Sequence, residues 1–379
     1  MAQNVGRRGG TWFYRLDLPP GPDGHRHQKR VSGFRTEREA RNALANASVA
    51  KAEGRLRHTQ AKTFRDLASE WLVAVEPNRK RTTMSNYRFI VDTYLTPRIG
   101  TVHLDRLSTP LIQQLYVDLR SGGRRDGRSL SGTQVGNIHR VLHNVLSYAQ
   151  HMGYLSVNPA DRVERPRDDT EERPVYTPEQ VRVLLETAKA DRLHALWYLA
   201  ISTGLRRSEL AGLKWEDIDS RSSQPVLMVR RTRTMADNRV VDSTPKTRAG
   251  RRTIVLDQGT VALLVEHREL MASEARKRGD ARAPDHVFVD DLGEPYIPIR
   301  LTRLLHALQR RAGLPQLTLH DMRHTSATVA LLAGVHPKVV SERHGHASTQ
   351  ITLDRYSHVI ESMQVAAAQS IDRFLSSDR

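Results

Sequence analysis

The sequence predicts a mainly α-helical chain with small β elements, divided into more than one domain. Three observations predict this class. Apolar residues recur at i, i+3, i+4 and i+7 along several long stretches, as in Phe64, Leu67, Ala68, Trp71, Leu72 and Val75, the pattern of one buried helix face. Strict alternation is confined to short segments such as 11–18, where Trp12, Tyr14, Leu16 and Leu18 share a face. Between helical stretches, NPADRVERPRDDTEERPVY at 158–176 is rich in proline and mixed charge, the composition of a linker. At 379 residues the chain has room for two or three domains.

Charge narrows the partners. Lys and Arg number 59 against 42 Asp and Glu, a net charge of +17. The excess is spread along the chain, which points to a polyanion such as nucleic acid. A genome that favours Arg codons accounts for Arg over Lys, but not for the net excess. Cysteine is absent, which excludes disulfides and thiolate metal sites. No apolar run reaches the ~18 residues of a membrane span. The first residues, MAQNVGRRGG, carry no apolar stretch after their charges, so no secretory leader is expected. A cytoplasmic protein without a membrane partner is the expectation.

Residues 1–60 hold twelve Lys or Arg against five Asp or Glu. A strand over 11–18, a Pro/Gly turn at 19–24, a second basic strand over 25–32 and a helix over 36–54 make a small sheet plus helix. Arg15, Lys29 and Arg30 are candidates to reach a nucleic-acid groove or backbone; a solvated basic hairpin is the other reading. A helical domain then runs over 62–157. Thr63 and Asp66 have capping-box spacing. A second helix over 83–95 is expected to bury Tyr87, Ile90, Val91 and Tyr94. A third begins at Thr109-Pro110, with Thr109 as N-cap and Pro at N1. A fourth runs from 131 to 150 on Val135, Ile138, Val141, Leu142, Val145 and Leu146. The apolar stripes are core. Thr82, Ser85, Asn86, Arg88, Asn137 and Arg140 on the polar faces are candidate DNA contacts.

The last region, 177–379, opens with Thr177-Pro178 as N-cap and N1 of a helix. A buried helix over 195–201 leads into Gly204. Strands are expected over 215–234 and 252–256 around a polar turn at 244–250. A long helix over 258–277, an apolar strand-type run at Val287-Phe288-Val289 and a helix over 299–312 follow. A further helix opens at His320, and the tail 360–379 reads as helical with Ile360, Met363, Ala367, Ile371 and Phe374 on one stripe.

This region carries the chemistry. TGLRRSEL at 203–210, LHDMRHTSAT at 319–328, Gly345-His346 and LDRYSHV at 353–359 supply arginines, histidines and a late tyrosine. Arginine grips phosphate oxygens with a planar fork, histidine exchanges protons near neutral pH, and tyrosine can be a covalent nucleophile. His320 and Arg323, at i and i+3, are expected to share a face that reaches one phosphate. His324 at i+4 raises a metal reading, but HDMRH lacks the Glu of a zinc-protease helix, and structural roles are expected for His324, His344 and His358.

The ordered set of these motifs resembles the tyrosine recombinase, or phage integrase, family over roughly residues 62–360, and the N-terminal region fits the branch with an arm-site DNA-binding domain. The resemblance implies an arm domain at 1–60, a core-binding domain of four helices at 62–157, a linker at 158–176 and a mixed α/β catalytic domain at 177–379. By motif it makes Arg206, Lys246, His320, Arg323 and His346 the catalytic set and Tyr356 the nucleophile. Glu209 would brace Arg206 from the same helical face, and Arg207 would face elsewhere.

Also implied are a 3′-phosphotyrosine intermediate without metal, ATP or other cofactor, and a homotetramer on double-stranded attachment sites joined through exchanged C-terminal helices. A DNA-bending host factor and an excisionase belong to that branch. A type IB topoisomerase and a non-catalytic DNA-binding repressor are the rival readings.

Overall fold

The computed structural model describes residues 4–8, 10–17, 28–52, 62–124, 126–166, 174–237, 239–245, 250–345, 348, 350, 368–369, 372 and 375–376. The chain divides into two compact units, Met1–Glu171 and Glu172–Arg379.

The first unit begins with a three-stranded antiparallel sheet in the order β1 (Val5–Arg8), β2 (Thr11–Asp17), β3 (Gln28–Phe34). Helix α1 (Glu37–Ala52) packs on β2. Tyr14 and Leu16 are buried, as their alternation predicts. On the other face Phe13 lies between two guanidinium groups, with Arg15 at 5.4 Å and Arg30 at 3.8 Å from its ring centroid. Strand β1 was not expected, because Val5-Gly6-Arg7-Arg8 has no apolar alternation. It is held by backbone pairing to β2, with Gly6 opposite Phe13. Leu18 lies outside the described residues.

Four main helices follow. Helix α2 (Phe64–Val75) is capped by the expected reciprocal bonds of Thr63 and Asp66. Helix α3 (Arg81–Ile90) does not end at 95. It widens into a π turn at Val91–Leu95 and continues as α4 (Thr96–Ile99). Pro97 has no N–H to offer the carbonyl four residues back. The Arg98 guanidinium donates there instead, to Thr93 O at 3.5 Å and Tyr94 O at 3.2 Å. Ile90 and Val91 are buried as expected, whereas Tyr87 and Tyr94 are half-buried and pack against the core. Helix α5 (Thr109–Gly122) has Ser108, not Thr109, as its N-cap. The Thr109 hydroxyl donates to Pro159 O at 2.9 Å. Helix α6 (Gly132–His151) is capped by Ser131 and Gln134, and all six of its expected core residues are buried.

Both ends of the expected linker are part of folded cores. Ala160 and Val163 are buried with the helical cluster. Asn158 Nδ2 donates to His143 O at 3.2 Å and Ser147 Oγ at 3.0 Å, and its Oδ1 accepts from Ala160 N at 2.9 Å. At the far end Tyr176 is buried in the second unit, its N–H donating to Thr325 Oγ1 at 3.1 Å. In the described parts, 158–166 and 174–176, proline and charge mark irregular backbone packed on the two units.

The second unit is built from α7 (Pro178–Ala188), α8 (His194–Thr203) and α9 (Arg207–Gly212), then strands, then α10 (Gln258–Arg278), α11 (Pro298–Arg311), α12 (Leu319–Leu332) and α13 (Pro337–His344). Thr177 and Gln180 cap α7. The strands expected over 215–234 are broken up. Trp215–Asp217 is a 3-10 turn, followed by β4 (Ile218–Asp219), β5 (Val226–Val229) and β6 (Thr232–Ala236). Asp219 Oδ1 accepts from Arg221 N and Ser222 N, each at 3.2 Å, which turns the chain after β4. Strand β6 pairs with β7 (Arg239–Ser243), and the sheet order β4-β5-β8 is completed by β8 (Arg252–Val255). Val287, Phe288 and Val289 are buried but form no strand. Their backbone meets Leu213 and Pro295 instead of a neighbouring strand. The apolar cluster around Trp197, Leu196 and Leu199 of α8 takes in α7, α9, α11 and α12. The tail stripe at 360–374 and His358 lie outside the described residues.

Asn158→Ala removes three hydrogen bonds from a buried amide and is expected to cost about 1–3 kcal/mol. Urea unfolding of the full chain measures it; a variant as stable as the wild type would return 158 to the linker.

Candidate active site

The site grows from the end of α8. That helix closes on Gly204 in the left-handed region, φ 63°, where a side chain is disfavoured. A Cβ there would also collide with the His344 ring. The turn brings Arg206 to the N-cap of α9 with an extended backbone, φ −69° and ψ 151°. Glu209 does not brace Arg206 along a helical face, as its spacing suggested. Arg206 precedes the helix. Its backbone N–H donates to Glu209 Oε2 at 2.9 Å and its Nη1 to Oε1 at 2.8 Å.

Glu209 is 2% exposed and takes a second arginine. Arg252, the first residue of β8, donates Nη1 to Oε1 at 3.1 Å and Nη2 to Oε2 at 2.9 Å. Burial pushes the Glu209 carboxyl up, but the hydrogen bonds and charge of Arg252, with the charge of Arg206, outweigh it and hold the group below its ordinary value of 4.5.

Three arginines converge on the C-terminal carbonyls of α13. Arg252 Nε donates to Arg343 O at 2.6 Å. Arg323 Nη2 donates to His344 O. Arg206 Nη2 donates to Gly345 O at 2.9 Å. Arg323 also donates Nη1 to Gly204 O at 2.6 Å. The Arg343 guanidinium in turn reaches Val255 O and Ser202 O, each at 3.1 Å. His344 is structural, as expected, with Nδ1 on Val340 O at 2.9 Å and Nε2 on Ser326 Oγ at 3.2 Å.

Of the expected catalytic residues, Arg206 and Arg323 are brought together with Glu209. Arg206 keeps 38% of its side chain exposed. Arg323 is 3% exposed, whereas His320 is exposed, with its ring edge-on to His324 at 4.7 Å. The two lie one turn apart on α12, with Arg323 bonded to the helix ends and His320 the more exposed. Lys246, His346 and Tyr356 lie outside the described residues. Arg207 faces elsewhere, donating to Thr302 Oγ1 at 3.1 Å. Among the described residues no group of three His, Asp or Glu is placed to hold a metal.

The candidate DNA contacts are scattered. Arg15 and Arg30 flank Phe13, and the Lys29 side chain lies outside the described residues. Thr82 and Ser85 are half-buried on α3, and Asn86 is exposed. Arg88 is ion-paired with Glu76, and Arg140 donates to Asn137 on α6. The sequence did not single out Arg252 or Arg343. An arginine opening a strand or closing a helix reads as an ordinary surface charge, and no spacing links either to Arg206.

Because Glu209 has a lower pKa folded than unfolded, its stabilisation is full above the unfolded value and is lost as pH falls through the folded one. Acid should therefore destabilise the wild type below the ordinary carboxylate range, and Glu209→Gln should lack that part of the slope. At neutral pH the substitution leaves two arginines facing an uncharged group and is expected to cost about 3–5 kcal/mol. Urea titrations across acid pH measure both effects.

Comparison with known proteins assigns the chain to a family. Residues 174–363, half of the chain, match the phage integrase family. Residues 2–50 match an arm DNA-binding domain, and residues 63–119 a phage integrase N-terminal SAM-like domain. A tyrosine recombinase XerC-like protein of Caldanaerobacter subterraneus subsp. tengcongensis is 28% identical over 386 residues, covering 96% of this chain and 97% of its own. The ICEBs1 integrase of Bacillus subtilis is 24% identical, covering 90% and 91%. In fold, the chain is similar to the Tn1549 transposon integrase in complex with transposon right end DNA, with a TM-score of 0.66 at 21% identity over 81% of this chain and 100% of that one. A lambda integrase tetramer bound to a Holliday junction gives a TM-score of 0.60 at 17% identity over 93% and 94%. With half its length matched by that family, and the arm and SAM-like regions matched besides, the chain belongs to the phage integrase family and is a DNA recombinase of the tyrosine type.

Proposed function

We propose that this chain is a site-specific integrase that cleaves and rejoins double-stranded DNA through Tyr356. The observation that carries the reading is the state of Arg206. Its guanidinium is fixed on two sides, by Glu209 and by Gly345 O, while 38% of the side chain stays exposed. A fixed, partly exposed cation beside a second arginine is a preorganised seat for a phosphodiester, and preorganisation is where electrostatic catalysis gains most.

In this reading the Tyr356 oxygen attacks phosphorus and the bond to the 5′-oxygen breaks, leaving a 3′-phosphotyrosine. His320 takes the phenolic proton, and Lys246 delivers one to the leaving 5′-oxygen. Arg206, Arg323 and His346 stabilise charge on the non-bridging oxygens. A free phenol has a pKa of about 10, so the surrounding cations are what make it a usable nucleophile. Attack by another 5′-hydroxyl reverses the step. The bond energy stays in the adduct, so neither nucleotide nor metal is consumed.

Further assignments belong to the same proposal. Residues 1–60 bind arm sites, 62–157 and 177–379 close on core DNA, and the connection within 158–176 is shorter than its composition implies. The family matches at 2–50, 63–119 and 174–363 support that division. The solved lambda integrase tetramer on a Holliday junction supports a homotetramer on DNA here, with a bending protein and an excisionase as accessory partners. No helix among the described residues is long and apolar enough to cross a membrane, and the site of action is the host cytoplasm.

Nicked suicide duplexes tiled from the DNA flanking the gene test the proposal. A covalent adduct at one tile, unaffected by chelator and absent in Tyr356→Phe, is the expected result. Adducts on every tile point to relaxation by a topoisomerase, and DNA binding without any adduct to a repressor. Arg206→Ala should keep DNA affinity and lose at least about a hundredfold in adduct rate. Affinity itself should fall steeply with salt.

A further inference from the structure

We propose that Arg252 is a positioning residue for cleavage, holding the Arg206 guanidinium through Glu209 and the C-terminal end of α13 through the Arg343 carbonyl. The inference rests on the role given above to Arg206. It comes from a closed circuit of contacts. Arg206 binds Glu209, Glu209 binds Arg252, and Arg252 binds Arg343 O. Two peptide bonds later, Gly345 O returns to Arg206. Arg252, like Arg206, holds both the carboxylate and the end of α13. Its two terminal nitrogens hold the carboxylate and its Nε holds the end of α13.

The chemistry of the contacts requires arginine. A guanidinium donates in a plane along two edges at once, so it can present a fork to a carboxylate and a third N–H to a carbonyl. Lysine carries the same charge on a single nitrogen and cannot reproduce that geometry. Its ammonium could neutralise Glu209 but would release Arg343 O, or the reverse. Without Arg252, Glu209 keeps only the Arg206 contacts, which bend it toward the guanidinium and away from the strand. The Arg206 fork then loses the rigid backing that holds it in place. The terminal nitrogens of Arg252 are taken by Glu209 and its Nε by Arg343 O, so its effect passes through Arg206 and the turn at Gly345.

The full-length chain with Arg252→Lys, and separately Arg252→Gln, tests this. The expected result is a fall of about a hundredfold in the single-turnover rate of adduct formation, with DNA affinity unchanged. Arg252→Lys should recover thermal stability relative to Arg252→Gln without recovering the rate. A role confined to stability is the conclusion if Arg252→Lys cleaves at the wild-type rate, or if rate and folding are lost and restored together. The arginine side-chain NMR signal of Arg206, assigned by Arg206→Lys, gives a readout that needs no catalysis. It should be sharp in the wild type and shifted or broadened in Arg252→Lys; an unchanged signal overturns the inference. A wild-type chain that forms no adduct on any duplex overturns the cleavage reading instead, and the NMR comparison then decides the hold of Arg252 on Arg206.

Discussion

The Glu209 carboxylate takes four hydrogen bonds, two from Arg206 and two from Arg252, in a space almost closed to water. A buried charge is tolerated only when partners replace its hydration. Here the replacement comes from two directions at once, the start of α9 and the start of β8. That requirement fixes where α9 begins, because the Arg206 backbone N–H is one of the four donors. It also fixes the strand, because Arg252 must approach from the far side. The cationic centre thus depends on an anion that never faces the substrate.

Helix ends supply the rest of the negative potential. The last carbonyls of an α-helix have no partners within it, and they carry the negative end of the helix dipole. In this unit α8 and α13 both terminate in left-handed glycines, Gly204 and Gly345. Their exposed carbonyls are taken by Arg206, Arg252, Arg323 and Arg343 rather than by solvent. Four guanidinium groups can therefore share a small volume with one carboxylate. His344, seated against Gly204, keeps the two helix ends in contact.

How much of this was legible in the sequence depends on whether the signal was local. The apolar stripes of α2 and α6, the capping pair at Thr63 and the N-cap Thr177 were readable, because each is written within a few residues. So was the end of α8 at Gly204. The break of the helix around Pro97 was missed, because its cure is a side chain, Arg98, reaching back to carbonyls. The packing of Asn158, Ala160 and Val163 was missed because irregular backbone bonded to α6 has the same composition as free linker. In the site, motif spacing pointed to Arg206, Glu209, His320 and Arg323, but not to their orientation. Whether Arg323 turns toward solvent or toward α13 is decided by carbonyls far along the chain. Arg252 was invisible for the same reason.

The partners of Arg206 are made at very different times. Glu209 follows it by three residues, whereas Gly345 follows by 139. Vectorial synthesis releases Arg206 and Glu209 long before α13 exists, so an emerging chain carries the guanidinium without the carbonyl that fixes it. The cluster assembles only when nearly the whole polypeptide has left the ribosome. Contacts this distant in sequence also close slowly, since the loop entropy must be overcome before they form. A chain abandoned midway therefore has basic surface with which to meet a polyanion, but lacks the arrangement that could engage a strand chemically. Partial products of translation are disarmed by topology alone.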